Sequence, residues 1–332
     1  MTKRLEKRRR ILAGGVAAFG AALFAGIARA NTGPSKSIRV VASQAPGAST
    51  DATARIFADY FAQKLGVSVV VENRPGGGGM IAAEAVARAT PDGHTFLIGL
   101  HSQLAQAPVL FKKPPIDVDQ DLIPVFALTP GVLLAAARAN LGASNIKELI
   151  ELSRKQALTV GNYSIGSGWQ MQMSQLIKET GGQFIIVTYK GTGPMMTDLA
   201  GGQIDLAAGS LIGMSAFLQR GTIRPLVIIS ESRSEKLPGL PTWGDVGFTS
   251  PAFSLLQEYN MMLAPAGTPN EVLSRMAEIA VEAGKLSPRV RSLRDLSGSE
   301  APVLAGEPLH KMISQVWPVY RSMTREIGLK PE

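Results

Sequence analysis

The sequence predicts an α/β chain of two lobes with largely parallel sheets, and three observations carry that reading. The roughly 300 residues that follow an N-terminal targeting segment exceed what one hydrophobic core usually organises. Short β-branched runs alternate with amphipathic stretches, with turn-forming residues at nearly every boundary. Two extended apolar stretches, 125–137 and 254–264, have no helix between them and their neighbours, and each reads as a crossing between lobes. Two crossings make a hinge, with residues 31–130 plus 260–332 forming lobe 1 and residues 131–259 forming lobe 2.

The first thirty residues are set aside as an export signal. Lys3, Arg4, Lys7, Arg8, Arg9 and Arg10 form a basic head, residues 11–27 are apolar and rich in Ala and Gly, and Ala28-Arg29-Ala30 supplies the small-x-small pattern of a cleavage site. The apolar stretch is short and Gly-interrupted against the roughly 20 residues of a spanning helix. Cleavage after Ala30 and a periplasmic location are expected, by the Sec or the twin-arginine route. The segment holds seven basic residues and one acidic one, so it carries +6 of the formal +8. The remaining chain is near +2, which removes the case for nucleic acid as a partner. Hydrophobic residues at 45% and charged residues at 18% describe a compact globular protein.

Residues 38–42 read as a strand. The loop Gln44-Ala45-Pro46-Gly47-Ala48-Ser49 then leads to a helix with Ala54, Phe57, Ala58, Phe61 and Leu65 on one face, capped by Ser49 or Thr50 and stopped by Gly66. A strand at 67–72, the turn Asn73-Arg74-Pro75 with four glycines after it, a helix at 80–89 and a strand at 95–100 repeat the rhythm. Ser144 caps a helix reaching residue 155. Strands at 158–163, 184–189, 204–208 and 225–230 then alternate with helices at 169–180, 194–199 and 212–220. Beyond Pro265-Ala266-Gly267-Thr268-Pro269 the pattern is helical, at 270–284, 288–296 and 308–327, and these helices are expected to pack back on the first lobe.

The inventory for catalysis is thin. The chain has no cysteine and three histidines, His94, His101 and His310, with no HExxH spacing and no GxSxG elbow. No metal and no cofactor are expected. Gly76-Gly77-Gly78-Gly79 lacks the Lys-Ser/Thr of a phosphate loop, and Met171 and Met196 stand where Gly166-Ser167-Gly168 and Gly191-Thr192-Gly193 would need a third glycine to bind a dinucleotide. The same loops suit a simpler task. At a strand-to-helix turn, unpaired backbone N–H groups and the positive helix end attract an anion, and glycine or serine lets it approach. Loops 44–51 and 164–169 come from different lobes and face each other across a cleft, a geometry for carboxylates. Tight turning alone is the competing role for each loop.

The run Val69-Val70-Val71-Glu72-Asn73-Arg74-Pro75-Gly76-Gly77-Gly78-Gly79 resembles the Bug family, the receptors of tripartite tricarboxylate transporters. Pro91-Asp92-Gly93-His94-Thr95, Tyr189-Lys190-Gly191-Thr192-Gly193-Pro194, Gly201-Gly202-Gln203-Ile204-Asp205 and Ala264-Pro265-Ala266-Gly267-Thr268-Pro269 match in the same order, up to the closing Gly328-Leu329-Lys330-Pro331. The resemblance implies a Venus-flytrap periplasmic binding fold and capture of a small carboxylate without catalysis. It also implies a membrane transporter or a sensor's extracytoplasmic domain as partner, and a monomer. Carried onto this chain, the ligand loops are Gln44, Ala45, Pro46, Gly47, Ser49, Thr50 and Asp51 in one lobe and Ser164, Gly166, Ser167 and Trp169 in the other. Turns at His101-Ser102 and Gly209-Ser210 close the sides.

Departures from the family pattern matter as much. Ser43-Gln44 stand where Pro-Phe is usual, Gly209-Ser210 where an acid and Asn are common, and Glu258-Tyr259 where Ser-Trp is common. Missing bulk at Gly209, with Trp169 and Tyr259 nearby, leaves room for a larger or aromatic acid. Two roles stay open for Asp51, capping its helix or pairing with a ligand amine. Two also stay open for Glu258, facing solvent or meeting a ligand cation or hydroxyl. An exported α/β enzyme using Asp51, Glu258 or His101 as acid or base is the alternative of a different class, and a sensor or scaffold protein is a third.

Overall fold

The structure, a computed structural model, describes residues 36–129, 131–229, 233–254, 256, 258–298 and 301–326. The export segment 1–30 and the closing Gly328-Leu329-Lys330-Pro331 lie outside the described residues. The chain runs β1 (Ile38–Ala42), α1 (Ser49–Leu65), β2 (Val69–Asn73), α2 (Met80–Ala87), β3 (Thr95–Leu100), α3 (His101–Leu110), a short α4 (Val118–Asp121) and β4 (Leu122–Leu128). It continues through β5 (Leu133–Arg138), α5 (Ile146–Lys155), β6 (Leu158–Asn162), α6 (Gly168–Thr180), β7 (Phe184–Thr188), α7 (Thr192–Ala200), β8 (Leu206–Ser210), α8 (Leu211–Gln219) and β9 (Ile223–Ile228). The one-turn α9 (Pro251–Ser254) and β10 (Asn260–Pro265) precede the helices α10 (Asn270–Leu286), α11 (Pro288–Ser297) and α12 (Gly306–Glu326).

Two five-stranded sheets result, ordered β2-β1-β3-β10-β4 and β7-β6-β8-β5-β9, one in each lobe. In both, three parallel strands are followed by the first strand built after a crossing, which runs antiparallel to both its neighbours. Four of the eight pairings are therefore antiparallel, where the alternation of elements predicts largely parallel sheets. The crossings cause the difference: β5 and β10 arrive from the other lobe without the crossover helix that a parallel neighbour requires. Leu128, the last residue of β4, lies opposite Asn260, the first of β10, so the two crossings leave the first sheet side by side. The second crossing is shorter than the sequence suggests, because residues up to Ser254 form α9 and the strand begins at Asn260.

Local chemistry explains most boundaries. Ala54, Phe57, Ala58 and Phe61 recur at helical spacing in α1, all are buried, and Gly66 ends the helix in the left-handed region at φ 70°. Its N-cap is Ala48 and not Ser49 or Thr50, and the Asp51 carboxylate reaches back to the Gly47 amide instead. In α5 the cap moves from Ser144 to Asn145, which accepts from the Glu148 amide while Glu148 accepts from that of Ser144, a reciprocal capping box.

Alternation along β1 divides the apolar residues between two clusters. Ile38, Val40 and Ala42 face Phe57, Phe61, Phe96, Phe126 and Ile279. Val41 faces the other way, into a cluster that passes through Leu97 and Leu104, then Leu309, Met312 and Tyr320 of α12, to Val160, Trp169, Leu206 and Trp243 in the second lobe. The C-terminal helix thus packs on α3 and also reaches α6, where Thr324 meets Met171. Phe126 sits 4.6 Å from Phe57 and 6.3 Å from Phe61 between ring centroids, with no exposed surface. Phe126→Ala is expected to lower stability by about 3–5 kcal/mol, read as a lower urea midpoint at unchanged slope.

Candidate functional site

The carboxyl ends of β1, β3, β6 and β8 each feed a helix, and these four junctions meet between the lobes. Two adjoining cavities open there. The larger, about 250 Å³, is lined by Ser43, Gln44, Gly76–Gly79, Gln103, Tyr163, Ser164, Ile165, Thr188, Tyr189 and Lys190. The smaller, about 10 Å³, is lined by Gln44, Ser49, Leu100, Leu133, Tyr163, Thr192, Gly209, Ser210 and Glu258. Gln44 and Tyr163 wall both. Lys190 is the sole cation and Glu258 the sole acid among the lining residues.

Gln44 is 2% exposed, and its Oε1 accepts from the Thr50 hydroxyl at 3.0 Å. Its Nε2 is buried with no acceptor among the described residues. An unmet donor in a buried position is costly, and here it stands beside the N-terminus of α1, where an anion is favoured. Asp51, by contrast, is committed inside its own lobe: its oxygens accept from Gly47, Arg55 and Asn73. Burial pushes its carboxyl up, but Arg55, the Gly47 amide and Asn73 together hold it below the usual range.

On the opposite wall, Ser167 caps α6 by accepting from the Gln170 amide and donates to Asn162 at 2.6 Å. Two glutamines of α3 grip the same loop from the first lobe. Gln103 accepts from Ser43 at 3.1 Å and donates to Ser164 at 2.6 Å. Gln106 donates to the carbonyls of Ser102 and Gly166 and accepts from Thr324 of α12. The Ala45 amide also donates to the Lys190 carbonyl across the cleft at 3.2 Å.

Glu258 lies on the second crossing with 3% exposure. Its Oε2 accepts from Ser102 at 2.7 Å, and its Oε1 accepts from the Gly168 amide at 2.8 Å and from Tyr163 at 3.1 Å. Burial raises its carboxyl from 4.5 to about 7, against the three hydrogen bonds that lower it. Burial likewise pushes the Tyr163 hydroxyl well above its ordinary value.

The profile of the tripartite tricarboxylate transporter family receptor matches residues 53–326. The chain belongs to that receptor family. A UPF0065 protein of Bordetella bronchiseptica is 30% identical over 306 residues, covering 92% of this chain and 89% of the relative. The periplasmic binding protein BugD superposes with a TM-score of 0.82 at 30% identity, over 90% of this chain and all of BugD. The R. palustris protein Rpa4515, solved with adipate, superposes with a TM-score of 0.82 at 26% identity, over 90% and 99% of the two chains. The family is one of solute-binding receptors, and the two-lobed Venus-flytrap fold is shared with these structures.

In this receptor the residues singled out from sequence divide into groups. Gln44 and Ser164 line the larger cavity, and Gln44, Ser49, Gly209, Ser210 and Glu258 line the smaller. Ala45, Pro46, Gly47, Thr50, Asp51, Ser102, Gly166 and Ser167 line neither, and they build or brace the loops around them. Trp169 is buried in the second lobe, its indole donating to the Gly161 carbonyl at 3.0 Å. His101 opens helix α3 where a turn is expected, with its ring edge-on to both Tyr259 and Tyr320. Glu258 does not face solvent: it is buried and lines the smaller cavity, with three hydrogen-bond partners supplied by the protein.

Ser43, Gln103 and Tyr163 are lining residues that were not among the expected ligand contacts, and the Gly76–Gly79 run, read from sequence as a loop suited to an anion but not placed in the ligand set, lines the cavity as well. A usable signal existed for the glycines, since their loop follows a strand parallel to β1. Gln103 and Gln106 carried none. Gln106→Leu is expected to keep the fold and cost about 1–3 kcal/mol, because the buried Gly166 carbonyl loses its donor. Urea unfolding measures the loss, and faster proteolysis within residues 164–169 locates it.

Proposed function

We propose that this chain is a periplasmic receptor that captures a small carboxylate by closing its two lobes, and that it delivers the ligand to membrane transporter subunits or to a sensor's extracytoplasmic domain. The observation that carries the reading is the buried Gln44 amide, which presents an unmet donor where the two cavities join beside the N-terminus of α1. A carboxylate there supplies the missing acceptor and meets the positive helix end. Kinship with an adipate-bound receptor and with a periplasmic binding protein supports the same chemistry and compartment. Export through residues 1–30, a monomeric state and lobe limits at 131 and 259 belong to the proposal.

A cavity of about 250 Å³ lies below the roughly 300 Å³ at which pockets for drug-sized ligands begin, which favours a compact acid. Trp169 supplies no aromatic wall, and the aromatic side chains lining the larger cavity are instead Tyr163 and Tyr189. Lys190, lining the larger cavity, suits a second anionic group at the far end of the ligand.

Calorimetry of the chain without residues 1–30 against a panel of mono- and dicarboxylic acids, adipate included, is expected to give saturable binding to at least one acid. Gln44→Ala then weakens that binding roughly 10- to 100-fold, the worth of a hydrogen bond to a charged group. Absence of binding to every acid, or equal affinity of the variant, counts against the reading.

A further inference from the structure

Glu258 lies on a crossing segment and is met by groups from both lobes. Ser102 reaches it from α3 in the first lobe, and Tyr163 and the Gly168 amide reach it from the second. A β-carbon on Gly168 would come within 3.1 Å of the Tyr320 hydroxyl and 3.4 Å of the Glu258 carboxyl, so α12 closes the same nest. Opening the lobes must separate Ser102 from Tyr163 and Gly168, and this carboxyl lies between them.

The surroundings suit a neutral acid. The groups acting on the carboxyl besides burial are one amide and two hydroxyls, none of them cationic. The titratable groups around the carboxyl are Tyr163 from the loop before α6, Tyr320 from α12 and Tyr259 from the crossing itself, with the His101 ring of α3 edge-on to both Tyr259 and Tyr320. A buried carboxylate lacking a counter-charge is disfavoured. A protonated Glu258 keeps the observed geometry: Oε1 still accepts from Gly168 and Tyr163, while Oε2–H donates to the Ser102 oxygen, which is able to accept.

We propose that Glu258 is a positioning residue that ties the lobes shut as a neutral acid, and that closure of the cleft takes up one proton from solvent at its carboxyl. The proposal rests on the two-lobed closing motion assigned above, and it concerns what governs that motion, not which ligand drives it. Its direction follows from linkage. With the lobes shut, burial holds the carboxyl near about 7, and opening returns it toward its ordinary 4.5. Shut protein therefore binds the proton more tightly, and raising the pH through that window favours the open form by up to about tenfold per pH unit. A pH sensor built on a carboxyl would set the receptor to release as its surroundings turn from mildly acid to neutral.

The test uses the chain without residues 1–30 and no ligand, so its outcome is independent of the carboxylate panel. Small-angle scattering is expected to show the radius of gyration rising between pH 4.5 and about 7, while Glu258→Gln, which keeps one donor and one acceptor, stays compact throughout. His101 is present in both proteins, and the infrared reading below separates its titration from that of the carboxyl. Identical profiles for the two proteins overturn the proposal. Infrared difference spectra of the unmodified protein give a second reading that requires no variant. A protonated-carboxyl band titrating near about 7 supports the proposal, and its absence sinks it.

Discussion

The placement of β10 between β3 and β4 is the constraint on which the two-lobed arrangement depends. That pairing brings the returning chain alongside the departing one, with Asn260 opposite Leu128, and so confines the motion between lobes to two neighbouring segments. A single crossing would leave the lobes free to twist, whereas two parallel tethers allow mainly bending across their common line. The cleft lies on the side of that line where the strands of both sheets end. Four helix N-termini are thereby collected in one place without any charged side chain being buried to attract the ligand.

Polar side chains, beside the buried apolar cluster that runs between the sheets, hold the facing loops in the described arrangement. Gln103 and Gln106 are long enough to reach across from α3, and neither carries a charge whose desolvation would have to be offset. Each such hydrogen bond contributes only about 1 kcal/mol net, since water replaces it when the lobes part. An interface made of several of these is specific in register yet readily reversed. That suits a receptor whose ligand must supply the difference between its contacts in the two forms.

Much of this was legible in the residues, and the gaps have physical causes. The apolar spacing of α1, the Gly66 stop and the alternation along β1 report local geometry, so their elements came through with ends displaced by a residue or two. Helix α3 did not. From His101 to Ala107 every residue is buried, which erases the amphipathic period, and Pro108 reads as a breaker although it sits near the helix end. The antiparallel strands were invisible because strand direction in β10 is decided by partners more than 130 residues earlier in the chain. Glu258 stood out in sequence as an acid where Ser is common in the family. Its role required knowing that Ser102, Tyr163 and Gly168 converge on it from separate elements.

Strand order also bears on how the chain is assembled. All five strands of the second sheet fall within residues 133–228, one continuous stretch of chain. The first sheet is interrupted: β3 and β4 stay apart until β10, nearly 140 residues after Leu128 by its end, arrives to fill the space. As the chain emerges N-terminus first, the lobe begun earlier is therefore the one completed later, which reverses the usual sequential order. Its open strand edges persist until residue 265, and contacts so distant in sequence slow the final step.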